Sequence, residues 1–309
     1  MKRLSSILIC VTGILTVVLT ARAASAAEAP GRAGLVKIAD GVYAYVDEKN
    51  PSPATGFGAN AGIVIGTDGV AVVDTLASAK EAQRFIKDIR AVTDKPFKYV
   101  INTHHHLDHS LGNSEFVKQG AVVIAQERSR ADAQKDADTI IRRALNYGFT
   151  PEMMEGTTVV LPTIMFSDRM TIDLGGRTVE LVYPGPSHTA GSIAAFVPDQ
   201  KVLFTGDILF TNVHPNMRDA DVNGWIKALD AVAALNAEKI VPGHGPLSSK
   251  KDLEDMKQYL LLFDRKAKEL AAGSNDANAI AAELVKALPH RDHFEMFIAG
   301  NVKALYLNK

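Results

Sequence analysis

The chain has 309 residues, of which 47% are apolar and 22% are charged. These fractions are typical of a soluble globular protein and exclude disorder, collagen or a coiled coil as the main class. The 34 basic and 35 acidic residues leave a formal charge of −1, so there is no strongly basic field for a phosphate backbone and nucleic acid is not expected as a partner.

The N-terminus predicts a secretory signal peptide over residues 1–26. A basic start at residues 2–3 precedes an apolar stretch over 7–19, and Ala24-Ser25-Ala26 fits the small-x-small cleavage pattern. The alternative, an uncleaved membrane anchor, is disfavoured because the stretch is short for a span, and no second segment is long enough for one. Cleavage would remove the single cysteine, Cys10, and three basic residues, for a net charge of −4. We therefore expect a periplasmic or secreted protein without a membrane span.

The first half of the chain alternates strands and helices. Short apolar runs predict strands at 42–46, 61–65, 70–74, 99–101 and 122–125. Gly66-Thr67-Asp68-Gly69 predicts a hairpin turn, and residues 47–58, with several prolines and glycines, predict a surface loop. Helical spacing predicts one helix over 79–90 and another over 128–147 that ends before Gly148.

The second half of the chain has a similar pattern of predicted strands and helices. Two hairpins are predicted, one around Gly175-Gly176 (170–174 with 178–183) and one around Pro198-Asp199 (193–197 with 202–204). A helix over 222–235 and a strand over 239–241 follow. Two similar halves, each with a small sheet and helices, predict a four-layer α/β sandwich with the helices outside, spanning residues 27–249.

From residue 250 to 309 the sequence predicts helices only. Five apolar residues share one helical face: Leu253, Met256, Tyr259, Leu260 and Phe263. After a break at Gly273-Ser274-Asn275, the pattern resumes over 279–288. We interpret this region as a C-terminal helical extension that packs on the sandwich.

A histidine cluster directly follows the strand at 99–101, in the sequence THHHLDH over residues 103–109. Imidazole and carboxylate are ligands for zinc and similar ions. The alternative is a solvated polar loop, but four histidines and an aspartate at a strand end favour metal. His104 and His106 can point the same way while residues 108 and 109 turn to a second position, so His105 is expected to point elsewhere.

Three later positions strengthen this prediction. His188 lies in GPSHTAGS before a strand, Asp207 in TGD at the end of a strand, and His244 in PGHG at the end of another. The glycine beside each allows close approach of the backbone. Each position alone is usually a solvated turn, but together they favour two ions, because two aspartates partly balance the charge of two divalent cations.

The pattern H-x-H-x-D-H, then G-P-x-H-T-x-G-S, then G-D, then P-G-H-G resembles the metallo-β-lactamase superfamily over residues 35–248. The resemblance implies an αββα fold with two metals at one edge between the sheets. The ligands it implies are His104, His106 and His188 for one metal, Asp108, His109 and His244 for the other, and Asp207 as a bridge.

Position 207 bears on the branch of the family. Aspartate there is similar to the glyoxalase II-like and general hydrolase branches, whereas specialised β-lactamases carry cysteine or serine, which puts β-lactamase activity in doubt. The signal peptide and C-terminal helices also resemble secreted relatives linked with sulfur oxidation or quinoprotein systems.

These features predict a secreted or periplasmic dinuclear zinc hydrolase of a small-molecule substrate. A metal-bound hydroxide, oriented by Asp108, would attack an ester, thioester or amide carbonyl, with a β-lactam amide included. Two alternatives stay open: a mononuclear iron oxygenase acting on a persulfide, and a non-catalytic periplasmic metal-binding partner of a sulfur-oxidation or quinoprotein system. The complete ligand set favours two metals. The sequence indicates neither the substrate nor the oligomeric state.

Other residues are singled out less strongly. Asp74, at a strand end, is a candidate acceptor that orients a ligand histidine. His214 is either a substrate-facing or a plain loop residue, and Trp225 is expected in the core. We expect His290 and His293 at the surface, and the loops 47–59 and 210–221 beside the substrate.

Overall fold

The structure is a computed structural model that describes residues 34–307. The predicted signal peptide and Cys10 therefore lie outside the described residues. Within residues 34–307, no helix has the length and apolar character needed to cross a membrane.

Two β-sheets form the centre of the fold. The first sheet has seven strands in sequential order: β1 Val36–Ala39, β2 Val42–Tyr45, β3 Ala61–Ile65, β4 Val70–Val73, β5 Phe97–Ile101, β6 Val122–Gln126 and β7 Ile164–Phe166. The second sheet has the order β12-β11-β10-β9-β8, with β8 Arg169–Asp173, β9 Thr178–Val182, β10 Ala194–Val197, β11 Val202–Phe210 and β12 Lys239–His244. Strands β4 to β7 are parallel, as are β11 and β12, and the other pairs are antiparallel.

Helices connect and cover these strands. The α-helices are α1 Ala79–Arg90, α2 Leu107–Ser110, α3 Asn113–Val117, α4 Glu127–Asp136, α5 Ile140–Asn146, α6 Pro151–Met154, α7 Val222–Ala233, α8 Lys250–Ala271, α9 Ala277–Ala287 and α10 Phe297–Val302. A 3₁₀ segment covers Pro53–Gly58, and a π-helical turn covers Lys303–Leu307.

The layers follow from which side chains are buried. Val64 and Val73 of the first sheet share one core with Leu181 and Phe204 of the second, so the sheets pack face to face. The outer face of the first sheet is covered by α1, which buries Phe85 and Ile89. The outer face of the second sheet is covered by α7 and α8. The predicted αββα sandwich is therefore confirmed.

Most predicted turns are present. β3 and β4 form an antiparallel hairpin across residues 66–69, and the Gly175-Gly176 and Pro198-Asp199 turns join β8 to β9 and β10 to β11. Ser78 caps α1 by accepting a hydrogen bond from the Glu81 backbone N–H. Local turn chemistry was sufficient to predict these connections.

The single helix predicted over 128–147 was wrong, because the chain breaks into α4 and α5. Thr139 donates its backbone N–H and its hydroxyl to the Asp136 carbonyl, which closes a turn between the helices. Short polar side chains compete with the helix in this way. The break lets Ile140 and Ala144 join a buried cluster beside α2, whereas α4 buries only Ser129.

The loop predicted over 47–58 is less exposed than expected. It contains the 3₁₀ segment, in which Thr55, Gly56 and Gly58 are buried. The backbone N–H of Asn60, just after it, donates to the Gly243 carbonyl at 2.7 Å. This loop is therefore packed against the turn that carries His244.

The C-terminal helices are present as predicted. The five apolar residues of α8 are all buried, and they pack in the same cluster as Trp225 of α7 and Ile298 of α10. The domain boundary at 249/250 stays a prediction.

Candidate metal centre

The predicted ligand residues lie beside or within strands of both sheets. Asp207 is inside a strand and not at the strand end expected from the sequence, because β11 continues to Phe210. His104 and His106 follow β5, and Asp108 and His109 lie on the short helix α2 immediately after. His188 precedes β10, Asp207 lies within β11, and His244 ends β12. Because β5, β11 and β12 end at the same edge of the sandwich, these side chains meet there in two adjoining groups.

The first group contains His104, His106, His188 and Asp207. The Nε2 atom of His188 lies 3.0 Å from Nδ1 of His106 and 3.2 Å from Oδ2 of Asp207. Nε2 of His104 lies 3.6 Å from the same carboxylate oxygen. One atom from each of the four residues lies within 4.8 Å of all the others, so together they could hold one cation.

The second group contains Asp108, His109 and His244, with the same mutual limit of 4.8 Å. Nε2 of His244 lies 3.4 Å from Oδ2 of Asp108. The other oxygen of Asp207, Oδ1, lies 3.1 Å from Nε2 of His109 and 3.5 Å from Nε2 of His244. Asp207 thus presents one oxygen to each group.

Hydrogen bonds fix the direction of the imidazole rings. Nδ1 of His109 contacts Oδ2 of Asp74 at 2.8 Å, and Nδ1 of His244 contacts the Phe57 carbonyl at 3.1 Å. Since a carboxylate and a carbonyl can only accept, both Nδ1 atoms carry a proton, and both Nε2 atoms face the cluster, where either a proton or a cation can be bound. Asp74 therefore has the orienting contact expected from the sequence.

The first group is oriented in the same manner. Thr103 donates its hydroxyl to Asp74 at 2.7 Å, which leaves that oxygen to accept from Nδ1 of His104 at 3.1 Å. Nε2 of His106 donates to Oδ2 of Asp219 at 2.9 Å, so its Nδ1 faces the group. Supporting contacts of this kind set the tautomer and direction of metal-binding histidines.

The atoms that face inward lack partners. Nε2 of His104, Nε2 of His109 and Oδ1 of Asp207 are buried and make no hydrogen bond of acceptable geometry with the described residues. Buried polar atoms are normally satisfied, and an orphaned one calls for an explanation such as an ion. Nitrogen and carboxylate donors at this spacing fit a divalent cation such as zinc.

The charges of the cluster are strongly coupled. Burial would raise the pKa of Asp207, but the imidazoles of His109 and His244 outweigh it and hold that pKa well below its usual range. Burial opposes protonation of His244, yet Asp207 and Asp108 raise its pKa to about 9. Burial lowers the pKa of His104 well below its ordinary value. Burial likewise opposes protonation of His109, but Asp207 and Asp108 raise its pKa well above its ordinary value. Protons on His109 and His244 thus balance the carboxylates, and a cation would replace them.

Two glycines allow the close packing. A Cβ on Gly243 would lie 1.9 Å from Oδ1 of Asp207, so only glycine fits beside that carboxylate. Gly206 has a φ of +47°, which favours glycine, and a Cβ there would lie 2.3 Å from the Thr103 hydroxyl oxygen. Asn60 holds the turn around His244 by donating to the carbonyls of Pro242 and Gly245, each at 2.9 Å.

Three other residues singled out in the sequence lie outside both groups. His105 belongs to neither group: Nε2 of its ring lies 3.6 Å from Asp136, and burial lowers its pKa to about 2. His214 does not face the cleft, since it is buried and its Nδ1 contacts the Tyr259 hydroxyl at 2.9 Å. Trp225 is in the core, as predicted, and donates to the Ile208 carbonyl.

The two C-terminal histidines differ. His290 has a side chain that is 90% exposed, as expected for a surface residue. His293 is half-buried, and its carbonyl accepts a hydrogen bond from the His214 backbone.

A cleft opens over the metal centre. Its floor includes Asp108, Asp207 and His244. Five residues of its walls lie in the loops expected beside the substrate: Phe57, Phe210, Asn216, Arg218 and Asp219. Sequence reasoning missed the others, which are Leu107, Arg143, Tyr147, Phe294 and Phe297. It also missed the contact of Asp219 with His106, because nothing in the local sequence links two residues that are 113 positions apart.

Comparison with known proteins gives consistent results. A linear primary-alkylsulfatase of Pseudomonas sp. (strain ATCC 19151) is 27% identical over 224 residues, which cover 61% of this chain and 42% of that protein. A metallo-beta-lactamase type 2 of Bacteroides fragilis is 26% identical over 234 residues, which cover 73% of this chain and 84% of that protein. This chain spans about half the length of some of the curated relatives it matches.

The fold is also found in solved structures. The structure of a metallo-beta-lactamase from Pontibacter korlensis superimposes with a TM-score of 0.61 at 22% identity, covering 74% of this chain and 98% of that one. At that identity the likeness concerns the fold alone. The family model described as the metallo-beta-lactamase superfamily matches residues 54–244, which is more than half of the chain and includes all seven clustered residues. This protein belongs to the metallo-β-lactamase superfamily.

Proposed function

We propose that this protein is a dinuclear zinc hydrolase. The observation that carries the proposal is the position of Asp207, whose Oδ2 faces His104 and His188 while its Oδ1 faces His109 and His244. A carboxylate so placed can contact two cations at once. The first ion would be held by His104, His106 and His188, the second by Asp108, His109 and His244, and Asp207 would bridge them.

The donor set supports zinc. Imidazole nitrogens and carboxylate oxygens are common zinc ligands, and the described ligand shell contains no thiolate. When bound, a pair of such ions supplies Lewis acidity and lowers the pKa of water from about 15.7 towards 7. A nucleophilic serine or cysteine is not required for this chemistry.

The protein side chains would position the reactants. Asp108 lies on the floor of the cleft with 14% of its side chain exposed, so it is the clustered carboxylate best placed to touch substrate. We assign it the role of accepting a hydrogen bond from the attacking water and orienting it towards the scissile bond. Asp207, with 4% of its side chain exposed, is placed to hold cations rather than to reach substrate.

The substrate bond is an ester, thioester or amide in this proposal. The names of the relatives support including sulfate esters and β-lactams in the test. The deciding experiment is a hydrolysis panel on the zinc-loaded protein with a chromogenic cephalosporin, a glutathione thioester, a lactone, an aryl sulfate and a phosphodiester. We expect turnover of at least one member that is lost in Asp108→Asn.

Metal analysis accompanies the panel. Close to two zinc ions per chain are expected. One tightly held iron with persulfide-dependent oxygen uptake would overturn the proposal in favour of an oxygenase. Two zinc ions without turnover of any member would favour a non-catalytic metal-binding partner.

We also propose that the protein is exported. The basic start, the short apolar stretch and Ala24-Ser25-Ala26 support this. N-terminal sequencing of protein from the periplasmic fraction should give Ala27 as the first residue. Recovery of the full-length chain from the cytosol alone would contradict export.

A further inference from the structure

The walls of the cleft contain aromatic side chains that take no part in the metal centre. Besides Phe210 of β11, four aromatic side chains line the cleft: Phe57 from the 3₁₀ segment, Tyr147 after α5, Phe294 before α10, and Phe297 at the start of α10. Phe57 contacts Tyr147 and Phe294 edge-on, with ring centroids 6.3 and 6.4 Å apart. Three separate parts of the chain, including the C-terminal extension, thus build one aromatic wall beside His244.

Two of these rings are held in an unfavourable backbone conformation. Phe57 has a φ of +54° and Phe294 a φ of +71°. Positive φ in a bulky residue is a genuine outlier and concentrates at functional sites. Phe294 also packs edge-on against the His244 ring, with centroids 5.8 Å apart. We interpret the strain at Phe57 and Phe294 as a sign that both side chains contact a bound apolar group.

The positively charged side chain of Arg218 lies at the end of the aromatic wall. The guanidinium carbon of Arg218 lies 5.4 Å from the centre of the Tyr147 ring, and its Nε donates to Asn216 at 3.1 Å. Among the described residues, no carboxylate forms an ion pair with Arg218, whereas Arg143 on the same cleft pairs with Asp136. Arg218 is exposed to the cleft and retains donors for a ligand.

The acids of the cleft are already engaged. Asp108 and Asp207 belong to the metal-binding groups, and Asp219 accepts from His106. With two divalent cations bound, as the proposed function requires, the cleft has a net positive charge. A cationic cleft with an aromatic wall matches a ligand that has both a negative charge and an apolar body.

We propose that the substrate is an amphipathic organic anion, in which a flat or extended apolar body lies against Phe57, Phe294 and Phe297 and a carboxylate, sulfonate or sulfate group contacts Arg218. This inference rests on the proposed function and specifies its substrate class. The scissile bond would lie over Asp108, on the cleft floor.

Binding of three probes to the zinc-loaded protein tests the proposal without requiring turnover. The probes are 2-naphthalenesulfonate, its neutral counterpart 2-(methylsulfonyl)naphthalene, and methanesulfonate, which lacks the apolar body. Titration calorimetry should give at least tenfold tighter binding of naphthalenesulfonate than of either other probe. Arg218→Gln should weaken the sulfonate at least fivefold and leave the neutral probe unchanged.

A second variant tests the aromatic wall. Phe297→Ala removes a half-buried ring and should weaken both naphthalene probes by a similar factor, of about fivefold, without changing their ratio. Arg169→Gln, an exposed arginine on β8, is the matched control and should bind all three probes as the wild type does. Equal affinity of wild type for the charged and neutral naphthalenes, or no effect of Arg218→Gln, would overturn the proposal.

These outcomes are separable from those of the proposed function. Arg218-dependent binding of naphthalenesulfonate with no hydrolysis in the panel would leave this inference standing and overturn the hydrolase. Hydrolysis of panel members without any contribution from Arg218 would overturn this inference and leave the hydrolase proposal standing.

Discussion

The carboxylate of Asp74 holds the ring of His109 through a hydrogen bond of 2.8 Å from Nδ1 to Oδ2. The same carboxylate accepts the backbone N–H and the hydroxyl of Thr103, at 2.8 and 2.7 Å. Thr103 in turn accepts from His104. One buried carboxylate at the end of β4 therefore orients a histidine of each metal-binding group.

This arrangement predicts a strong effect of Asp74→Asn. Every contact of the carboxylate is with a donor, so an amide NH₂ faces a donor in either orientation. It opposes either the ring of His109 or the backbone N–H of Thr103, which immediately precedes His104. Loss of such supporting contacts typically costs about 10–100-fold in metal affinity. We expect the zinc Kd to rise by about that factor, measured by competition with a chromogenic chelator.

The control for this experiment is Asp173→Asn, an exposed residue on β8. It should keep the wild-type affinity for both ions. Wild-type affinity in Asp74→Asn would show that the hydrogen bonds of Asp74 do not support the site.

His214 predicts a pH dependence of stability that is independent of the metal centre. Burial, together with nearby Arg291 and His290, lowers its pKa to about 4, from about 6.5 in an unfolded chain. The unfolded state therefore binds a proton at His214 more readily than the folded state does. The stability contributed by neutral His214 is fully present above pH 6.5 and is lost as the pH falls to 4. The loss amounts to about 3 kcal/mol.

Urea unfolding of zinc-free protein between pH 7 and pH 4 measures this effect. His214→Gln should be less stable than wild type at pH 7, with a gap that narrows towards pH 4. Lys98→Gln changes an exposed side chain of β5 that does not contribute to the shift at His214, and it should follow wild type throughout. A gap for His214→Gln that is constant with pH would contradict the shifted pKa.

The positive φ at Phe57 predicts that glycine is more stabilising than alanine at this position, which is the opposite of their order in a helix. At a φ of +54° glycine is unstrained, whereas alanine is not, so Phe57→Gly should be more stable than Phe57→Ala by about 1 kcal/mol. In the middle of a helix the order is the opposite. Gln258→Gly and Gln258→Ala, at an exposed position in the middle of α8, supply that comparison. Thermal unfolding of the four variants checks both orders, and the same order at both positions would contradict strain at Phe57.

Features that are encoded in short stretches of sequence could be predicted, whereas contacts between distant positions could not. The clustered histidines and aspartates lie in short motifs that directly adjoin strands, so the strand pattern already brought them to one edge. Asp74 was found for the same reason. The contact between Asp219 and His106 was not found, because no periodicity or turn joins positions 113 residues apart.

The aromatic wall was missed for a related reason. Phe294 reaches the cleft only because the C-terminal helices fold back across the second sheet. That placement depends on tertiary packing, which no local pattern encodes. The break between α4 and α5 was missed because helix-favouring residues flank it on both sides, whereas the local signal for it is limited to the short polar side chains of Asp136, Asp138 and Thr139.

The last prediction concerns the division of roles between Asp207 and His105, which lie in the same region and are both buried. Asp207→Asn keeps the shape of the side chain but removes a negative charge and one good ligand oxygen. Oδ1 faces His109 and His244, and Oδ2 faces His104 and His188, so a single amide oxygen cannot serve both groups. The first group retains three histidines after this change, whereas the second retains two histidines and Asp108. We predict that the second ion is weakened far more than the first, because one of its three remaining ligands, Asp108, is 14% exposed and faces the cleft.

Turnover should fall by about 100-fold or more, since even supporting ligand changes cost about 10–100-fold. His105→Ala should change metal content and turnover much less, because the His105 ring faces Asp136 and belongs to neither group. Elemental analysis and turnover on the substrate found by the panel compare the two variants. If Asp207→Asn keeps two ions and full activity while His105→Ala loses them, the assignment of ligands is wrong, because a bridging carboxylate is the feature on which a shared two-metal site depends.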